Sequence, residues 1–299
     1  MIYDNALDII GKTPLVKLNK IVNKYGIDGE IYAKVEYYSP GLSKKDRIAK
    51  YIIEKAVKEG KLKKGQTVIE QTSGNTGIGA ALVCAILGYP FIAVMSKGNS
   101  VERVKMIEAF GGKVVLVDKA SNHIGVSKDD LDLVEKKYSE LVRELDGFAM
   151  NQFYNEDNAL AHYYSTGEEI IDDLGNVDIF VDYVGTGGSF VGISKRLKEH
   201  HNCLCYKVVP DKKNHSIQGG GYFKDIPFEG EGLCDGEIVV SEEEAVLYTK
   251  ELAKEEALYC GVSSGANLAG AIKVLKSNPG KKVVILLNDS GLKYLSVIK

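Results

Sequence analysis

Between Thr67 and Leu287 short apolar runs alternate with helical stretches of about ten or more residues, and few folds accept that rhythm. Thr67-Val68-Ile69-Glu70, Pro90 to Met95, Lys113 to Val117, Asp178 to Val184, Cys205 to Val209 and Val283 to Leu287 read as strands. Between them fall helices carrying Ile78, Leu82, Ala85 and Ile86, then from about Ser100 to Phe110, Asp129 to Leu145, His162 to Leu174, Phe190 to His200, Glu242 to Glu256 and Ala266 to Leu275. The pattern predicts an α/β chain whose parallel-rich, twisted sheets are covered by helices on both faces. A length of 299 residues is long for one core, so two closely packed three-layer domains are expected. Residues 1–30 read as an N-terminal arm with Thr13-Pro14-Leu15-Val16 extended, and Asn214 to Gly232 as an irregular, glycine-dotted loop.

Ahead of that alternation stands Ser39-Pro40-Gly41-Leu42-Ser43-Lys44-Lys45-Asp46-Arg47. It joins the apolar run Ile31 to Val35 to an amphipathic helix bearing Ile48, Tyr51, Ile52, Ala56 and Val57, which Gly60 stops. Pro40-Gly41 supplies the turn and Ser43 an N-cap, so lysine stands in the helix's first turn. The exposed N–H groups and the macrodipole make that end positive already. Lys44 reads as a solvated lysine. At Lys45 the crowded positive charge would lower the amine's pKa and make it a nucleophile.

Three Gly- and Ser-rich loops follow extended runs and open helices. Gly185-Thr186-Gly187-Gly188-Ser189 is equipped to hold an anion on backbone N–H groups, or is simply a tight turn. It lacks the lysine of a triphosphate-binding loop, and Phe190 stands where a dinucleotide fingerprint needs its third glycine, so a single phosphate group is the economical ligand. Thr72-Ser73-Gly74-Asn75-Thr76 offers hydroxyls, an amide and backbone donors for a carboxylate, although the same residues also make good caps. Ser263-Ser264-Gly265-Ala266-Asn267 is open to the same two readings. No His/Asp pair accompanies these serines at a recognisable spacing.

Composition excludes several classes. Apolar residues make up 44% and charged residues 26%, as in an ordinary globular protein. A net charge of −3 gives no footprint for nucleic acid or an acidic membrane, and no apolar run approaches the ~20 residues of a membrane span. No signal peptide is read at the N-terminus. Cys84, Cys203, Cys205, Cys234 and Cys260 match no zinc spacing and read as reduced, which points to the cytoplasm; no metal is expected.

A phosphate cradle, a carboxylate loop and an activated lysine are together what pyridoxal 5′-phosphate chemistry on an amino acid requires. Ser43-Lys44-Lys45-Asp46-Arg47 resembles the S-x-K-D-R of fold-type II pyridoxal-phosphate enzymes, the cysteine synthase and cystathionine β-synthase family. Thr72 to Gly77 resembles that family's substrate loop, Gly185 to Ser189 its phosphate loop, and Gly261-Val262-Ser263-Ser264-Gly265 its pyridine-nitrogen segment. Asn151-Gln152-Phe153, Ile217-Gln218-Gly219 and the run from Asp289 to Ser296 fit as well, in family order over nearly the whole chain.

The resemblance implies the tryptophan synthase β-subunit-like fold. Residues 38–150 would form a smaller, mobile substrate-loop domain, and 1–37 plus 151–299 a larger domain binding the cofactor phosphate. Lys45 would form the Schiff base and move the substrate's α-proton. Asn75 would bind the phenolic oxygen, Gly185, Thr186, Gly187, Gly188 and Ser189 the phosphate, and Ser263 the ring nitrogen. Thr72, Ser73, Thr76, Gln152 and Gly219 would hold substrate. A hydroxyl at the ring nitrogen leaves the ring a weaker electron sink than a carboxylate would, favouring loss of a β-substituent through an aminoacrylate.

The implied reaction is that of cysteine synthase, O-acetylserine plus sulfide giving cysteine, in a homodimer. The same chemistry would also serve a hydrogen-sulfide-producing cysteine lyase, with water as second substrate, or a cystathionine- or lanthionine-type thioether synthase, with a thiol. A third reading is a non-catalytic ligand-binding regulator. Leu42, Asn99-Ser100, a shortened Val209–Ile217 loop, Gly220-Tyr222-Phe223 and Asn288 depart from the family pattern. They are expected to alter substrate choice, Asn99 at the mouth of the site above all, without touching the cofactor.

Overall fold

Strands covered on both faces bury every residue, and Val68–Gln71 and Ile179–Tyr183, inside the two sheets, do so. The computed structural model describes residues 2–120, 126–212, 215, 217–220, 228 and 230–296; much of the Asn214–Gly232 loop, with Tyr222 and Phe223, lies outside the described residues. A six-stranded sheet is built from β1 (Leu15–Lys17), β2 (Gly29–Val35), β7 (Ile179–Tyr183), β8 (Leu204–Pro210), β9 (Gly236–Val240) and β10 (Lys281–Leu287). Its order is β1-β2-β10-β7-β8-β9, parallel throughout except that β1 runs antiparallel to β2. A four-stranded, all-parallel sheet holds β3 (Val68–Gln71), β4 (Phe91–Ser96), β5 (Lys113–Val117) and β6 (Phe148–Ala149), in the order β5-β4-β3-β6. The α/β, parallel-rich reading therefore holds. Two strands had no counterpart in it: β6 is two residues long, and β9 is a half-exposed strand at the end of its sheet.

Helices pack against each sheet. On the smaller one, α2 (Lys45–Lys58) buries Ile48, Ala49, Ile52, Ile53 and Ala56 against α3 (Asn75–Leu87), and α4 (Val101–Ala109) adds Ile107. Helix α3 is apolar nearly all round, so its expected face fails in part: Ile78 and Leu82 are buried, Ala85 and Ile86 exposed. Helix α5 (Lys128–Glu144) starts on a Ser127/Asp130 capping box. The long helix expected around His162 is three pieces: α6 (Asp157–His162), a π-helical turn at Tyr163–Gly167, and α7 (Glu168–Leu174). On the larger sheet lie α1 (Asn19–Lys24), α8 (Gly188–His200), α9 (Glu242–Glu256) and α10 (Val262–Ser277).

The start of α2 is fixed by a buried ion-pair cluster. Arg47 Nε and Nη2 donate to the Glu36 carboxylate at 2.7 and 2.8 Å, and its Nη1 and Nη2 reach Glu169 on α7. Thr13 of the N-terminal arm joins through its hydroxyl, and Lys34 through Glu169. Burial works against the charge of Glu169, yet the Arg47 hydrogen bonds and charge bring its carboxyl down to about 2. Removing one partner of such a cluster leaves buried charge unpaired. We expect Arg47→Met to cost about 3–5 kcal/mol in urea unfolding. Because the Glu169 pKa is depressed, its contribution is complete above the ordinary 4.5 and disappears as pH falls toward 2. Unfolding midpoints of the wild type should drop across that window, and Arg47→Met should lose most of the Glu169 part of the drop.

Candidate active site

The carboxyl ends of β2, β7 and β10 converge on the first turn of α2. The chain after β10 is clamped there, with the Lys44 N–H donating to the Asn288 carbonyl at 2.9 Å and the Gly261 N–H to that of Asp289 at 3.0 Å. Lys44, not Ser43, occupies the N-cap position; Ser43 forms a β-bridge with Asp289. Neighbouring residues on a helix point about 100° apart, so the two lysines part company. Lys45 faces the cavity, where burial and then the Lys44 charge bring its amine down to about 7, against the pull of Asp182 and Glu70. Lys44 is not the solvated lysine its sequence position suggested. It is buried, with Nζ 3.1 Å from Asp182 Oδ1 and 2.9 Å from Ser189 Oγ.

The Gly185–Ser189 loop leads from β7 into α8, whose N-cap is Gly187 at φ +91°, a conformation that favours glycine. The first-turn N–H groups of α8 have no intrahelical partner and make an anion-binding end. Ser189 Oγ donates to Asp182 at 2.6 Å, and Thr186 Oγ1 accepts from Asn158 at 3.1 Å. Asn158 also donates to the Gln152 carbonyl at 2.7 Å, so one buried amide joins the two loops.

The Thr72–Thr76 loop folds onto its own first hydroxyl: Thr72 Oγ1 accepts from the N–H groups of Gly74 at 2.9 Å and Gly77 at 3.2 Å. Gly74 sits at φ +127°, and a Cβ there would meet the Arg103 side chain at 2.3 Å. Thr76 donates to Gln152 Oε1 at 2.6 Å, and Gln152 Nε2 to the Gln71 carbonyl at 3.0 Å. Beneath them burial pushes Glu70 up to about 8, and its Oε1 accepts from the Gln152 N–H. Asn75 gives one amide hydrogen to Asp289 and accepts from buried Lys293 at 2.9 Å. Its second amide hydrogen is available to a ligand oxygen.

Ser263 stands in the first turn of α10 and accepts from Asn288 Nδ2 at 3.1 Å. Asn288, expected to stand clear of any cofactor, lines the same cavity as Ser263. Asn99, expected at the mouth, donates to the Ser96 carbonyl at 3.0 Å and is not in the lining. Arg103, in the first turn of α4, is buried and lines the cavity instead. It donates to the Ser73 carbonyl at 3.0 Å, Gln218 Oε1 at 2.7 Å and Tyr294 Oη at 2.6 Å.

These residues line a cleft of about 840 Å³, part of which is open to solvent. Lys45, Thr72, Ser73, Asn75, Thr76, Gln152, Gly185, Thr186, Gly187, Ser189, Gly219 and Ser263 all line it, while Gly188 is buried just behind. Sequence reasoning missed Lys44, Tyr183 and Leu131 in the lining, and Asp182 and Asn158 behind it. Asp182 could have been suspected, being an acid inside the apolar run of β7. No carboxylate is among the described residues that line the cavity.

A family model described as pyridoxal-phosphate dependent enzyme matches residues 6–289. The chain belongs to that family. It is 38% identical over 307 residues to cysteine synthase of Staphylococcus aureus, covering 98% of this chain and 96% of that one. It is 36% identical to cystathionine beta-synthase of Dictyostelium discoideum over 99% of its own length, and spans 61% of that enzyme. The solved structure of a hydrogen sulfide-producing enzyme from Fusobacterium nucleatum superposes with a TM-score of 0.91 at 39% identity, covering 98% of this chain and all of the other. The protein is thus a pyridoxal-phosphate-dependent, cysteine-synthase-like enzyme of fold type II. Among the described residues no helix is long and apolar enough to cross a membrane.

The donor set fits the cofactor. A helix N-terminus with two hydroxyls suits a phosphate, a free amide hydrogen on Asn75 a phenolic oxygen, and the Ser263 hydroxyl a ring nitrogen. The amine of Lys45 would be the nucleophile for an aldehyde, and only its unprotonated form would attack. Protein stripped of cofactor should therefore take up pyridoxal phosphate at a rate that climbs with pH around about 7, the lowered Lys45 value. Stopped-flow absorbance across a pH series reads this directly; a midpoint near an ordinary lysine's would refute the lowered amine. Lys45→Ala should lose the covalent chromophore altogether, and Lys44→Ala should keep it.

Proposed function

We propose that the cavity replaces the β-substituent of a serine-type amino acid, with O-acetylserine as donor and sulfide as the incoming nucleophile. The observation that carries this reading is the placing of one lowered lysine amine between a helix N-terminus and the hydroxyl-rich Thr72–Thr76 loop, with a hydroxyl, not a carboxylate, on the third wall. Bound there, pyridoxal phosphate supplies an aldehyde for amines and a ring that draws electrons from the substrate's α-carbon.

The chain's own residues would do the rest. Gly185, Thr186, Gly187, Gly188 and Ser189 hold the phosphate, Asn75 the phenolic oxygen, and Ser263 donates to the ring nitrogen. Thr72, Ser73, Thr76, Gln152 and Gly219 bind the substrate. Lys45 Nζ takes the proton from the α-carbon and later returns it. Domain division follows the two sheets, with 38–150 as the moving part. A substrate carboxylate would draw Thr72–Asn75 inward, because its charge offers hydrogen bonds to donors at the start of α3. Closure would exclude water from the reacting centre.

A second reading, sulfide release from cysteine, is favoured by the likeness to the Fusobacterium enzyme. Both begin with the same loss of a β-substituent, and they differ in what adds afterwards. We assign the protein to the cytoplasm as a homodimer; the five free cysteines support the first, the family resemblance the second.

Purified protein should be given O-acetylserine plus sulfide, and separately cysteine, with products identified by mass spectrometry. Cysteine from the first mixture is expected, and sulfide from the second marks the other direction. A cofactor-loaded protein that turns over neither would leave a ligand-binding regulator. Gln152→Leu should raise KM for the amino acid about tenfold or more, the scale of one lost hydrogen bond to a charged group, with kcat changed less.

A further inference from the structure

A buried ion pair stands beside the phosphate loop, and nothing in the proposed reaction uses it. Lys44 and Asp182 are both buried, with Lys44 Nζ at 3.1 and 3.3 Å from the two carboxylate oxygens. Asn267 Nδ2 supports Asp182 from behind at 3.5 Å, and Ser189 Oγ is shared between the pair: it donates to Asp182 at 2.6 Å and lies 2.9 Å from Lys44 Nζ. Burying two charges is costly, and a hydrophobic pair of similar volume often serves stability as well or better. Such a pair within reach of a ligand therefore suggests work on the ligand.

Charge balance says what that work is. A phosphate monoester carries about −1.5 to −2 at neutral pH, whereas a helix N-terminus offers roughly +0.5. The described cations that line the cavity are Lys44, Lys45 and Arg103. Lys45 is the amine needed for the aldehyde. Arg103 is engaged by the Ser73 carbonyl, Gln218, Tyr294 and Asp289, on the substrate-loop side. Lys44 is the cation beside Ser189, in the first turn of the anion-binding helix.

We propose that Lys44 is a ligand of the cofactor's phosphate: held beside Ser189 by Asp182, its ammonium turns onto the phosphate bound at the start of α8. Asp182 is the counter-ion that keeps the site close to neutral until the phosphate takes over part of that task. The lysine charge has a second effect, since it is also a cause of the lowered Lys45 amine. The proposal rests on the Gly185–Ser189 loop being the phosphate site.

The test compares cofactor binding rather than turnover. Full-length protein stripped of cofactor is titrated with pyridoxal phosphate and with pyridoxal, which lacks the phosphate, and dissociation constants are read from visible absorbance. Lys44→Met should weaken pyridoxal phosphate about tenfold or more beyond any loss for pyridoxal, as for one lost charge-assisted hydrogen bond, the loss common to both ligands being that of the raised Lys45 amine. Equal losses for both ligands, or no loss for either, overturn the proposal. The double variant Lys44→Met/Asp182→Asn removes both buried charges, so it answers even where the single variant fails to fold. It should keep the weakened preference for the phosphorylated ligand. A return to the wild-type preference would show that Lys44 only neutralises Asp182, and the proposal would fall. Should the wild type itself bind both ligands equally, the phosphate-loop assignment fails first, a result distinct from any variant effect.

Discussion

A guanidinium sunk between two carboxylates sets where α2 begins, and the cavity is arranged around that beginning. Arg47 holds Glu36, just past the end of β2, and Glu169, at the start of α7, while Thr13 brings in the N-terminal arm. Just before the helix the Pro40-Gly41 turn closes on Asp46 of the same helix, five residues beyond Gly41, whose Oδ2 accepts from the Gly41 N–H at 2.6 Å. Lys293 donates to the Gly41 carbonyl at 2.6 Å and to Asn75, carrying the constraint on to α3. With the turn held from both sides, the directions of Lys44 and Lys45 are fixed by helix geometry alone.

That placement is electrostatically unfavourable, which is why it is chemically useful. Two lysines at the positive end of a helix repel each other and the helix dipole. One is compensated by a buried carboxylate, Asp182. The other has no carboxylate in contact, faces the cavity, and responds by giving up its proton near neutral pH. The stability lost at this helix end is offset elsewhere, in the fully buried interface of α2 with α3 and in the Arg47 cluster.

The sheet architecture was legible because continuous apolar runs between long amphipathic helices admit few arrangements. The cavity loops were legible because backbone donors at helix starts need glycine and small hydroxyl residues, which leave a mark on sequence. Partners across long sequence separations left no such mark. Lys44 looked solvated because its position on the helix suggests exposure; only β7 alongside, bringing Asp182 from 138 residues away, makes it interior. Asn99 looked like the residue at the mouth because it departs from the family pattern there, but its amide turns back onto the Ser96 carbonyl. Arg103 was hidden because its role depends on Gly74 leaving room for its methylenes and on Tyr294 arriving from the far end of the chain. The π-helical turn at Tyr163–Gly167 gave no periodicity signal, since the apolar spacing on either side of it reads as one helix.

Asn288 shows how a residue outside the motifs can set the chemistry within them. Its amide donates to the Ser263 oxygen at 3.1 Å, and its neighbour Ser264 accepts from the Asn288 N–H at 2.9 Å, so the segment after β10 is stitched to the first turn of α10. With a donor already on its oxygen, the Ser263 hydroxyl has its proton free to point into the cavity. It can donate to a neutral ring nitrogen, whereas a carboxylate there would hold that nitrogen cationic. No carboxylate among the described residues lines the cavity to take over that task. Electron withdrawal from the α-carbon is then moderate, and the charge developed by removing a proton is relieved by expelling whatever leaving group the β-carbon carries. On the proposed reading, the hydroxyl–amide pair would favour loss of a β-substituent, for serine-type and cysteine-type substrates alike. On the opposite side of the cavity, Arg103 links the Thr72–Thr76 loop to Gln218.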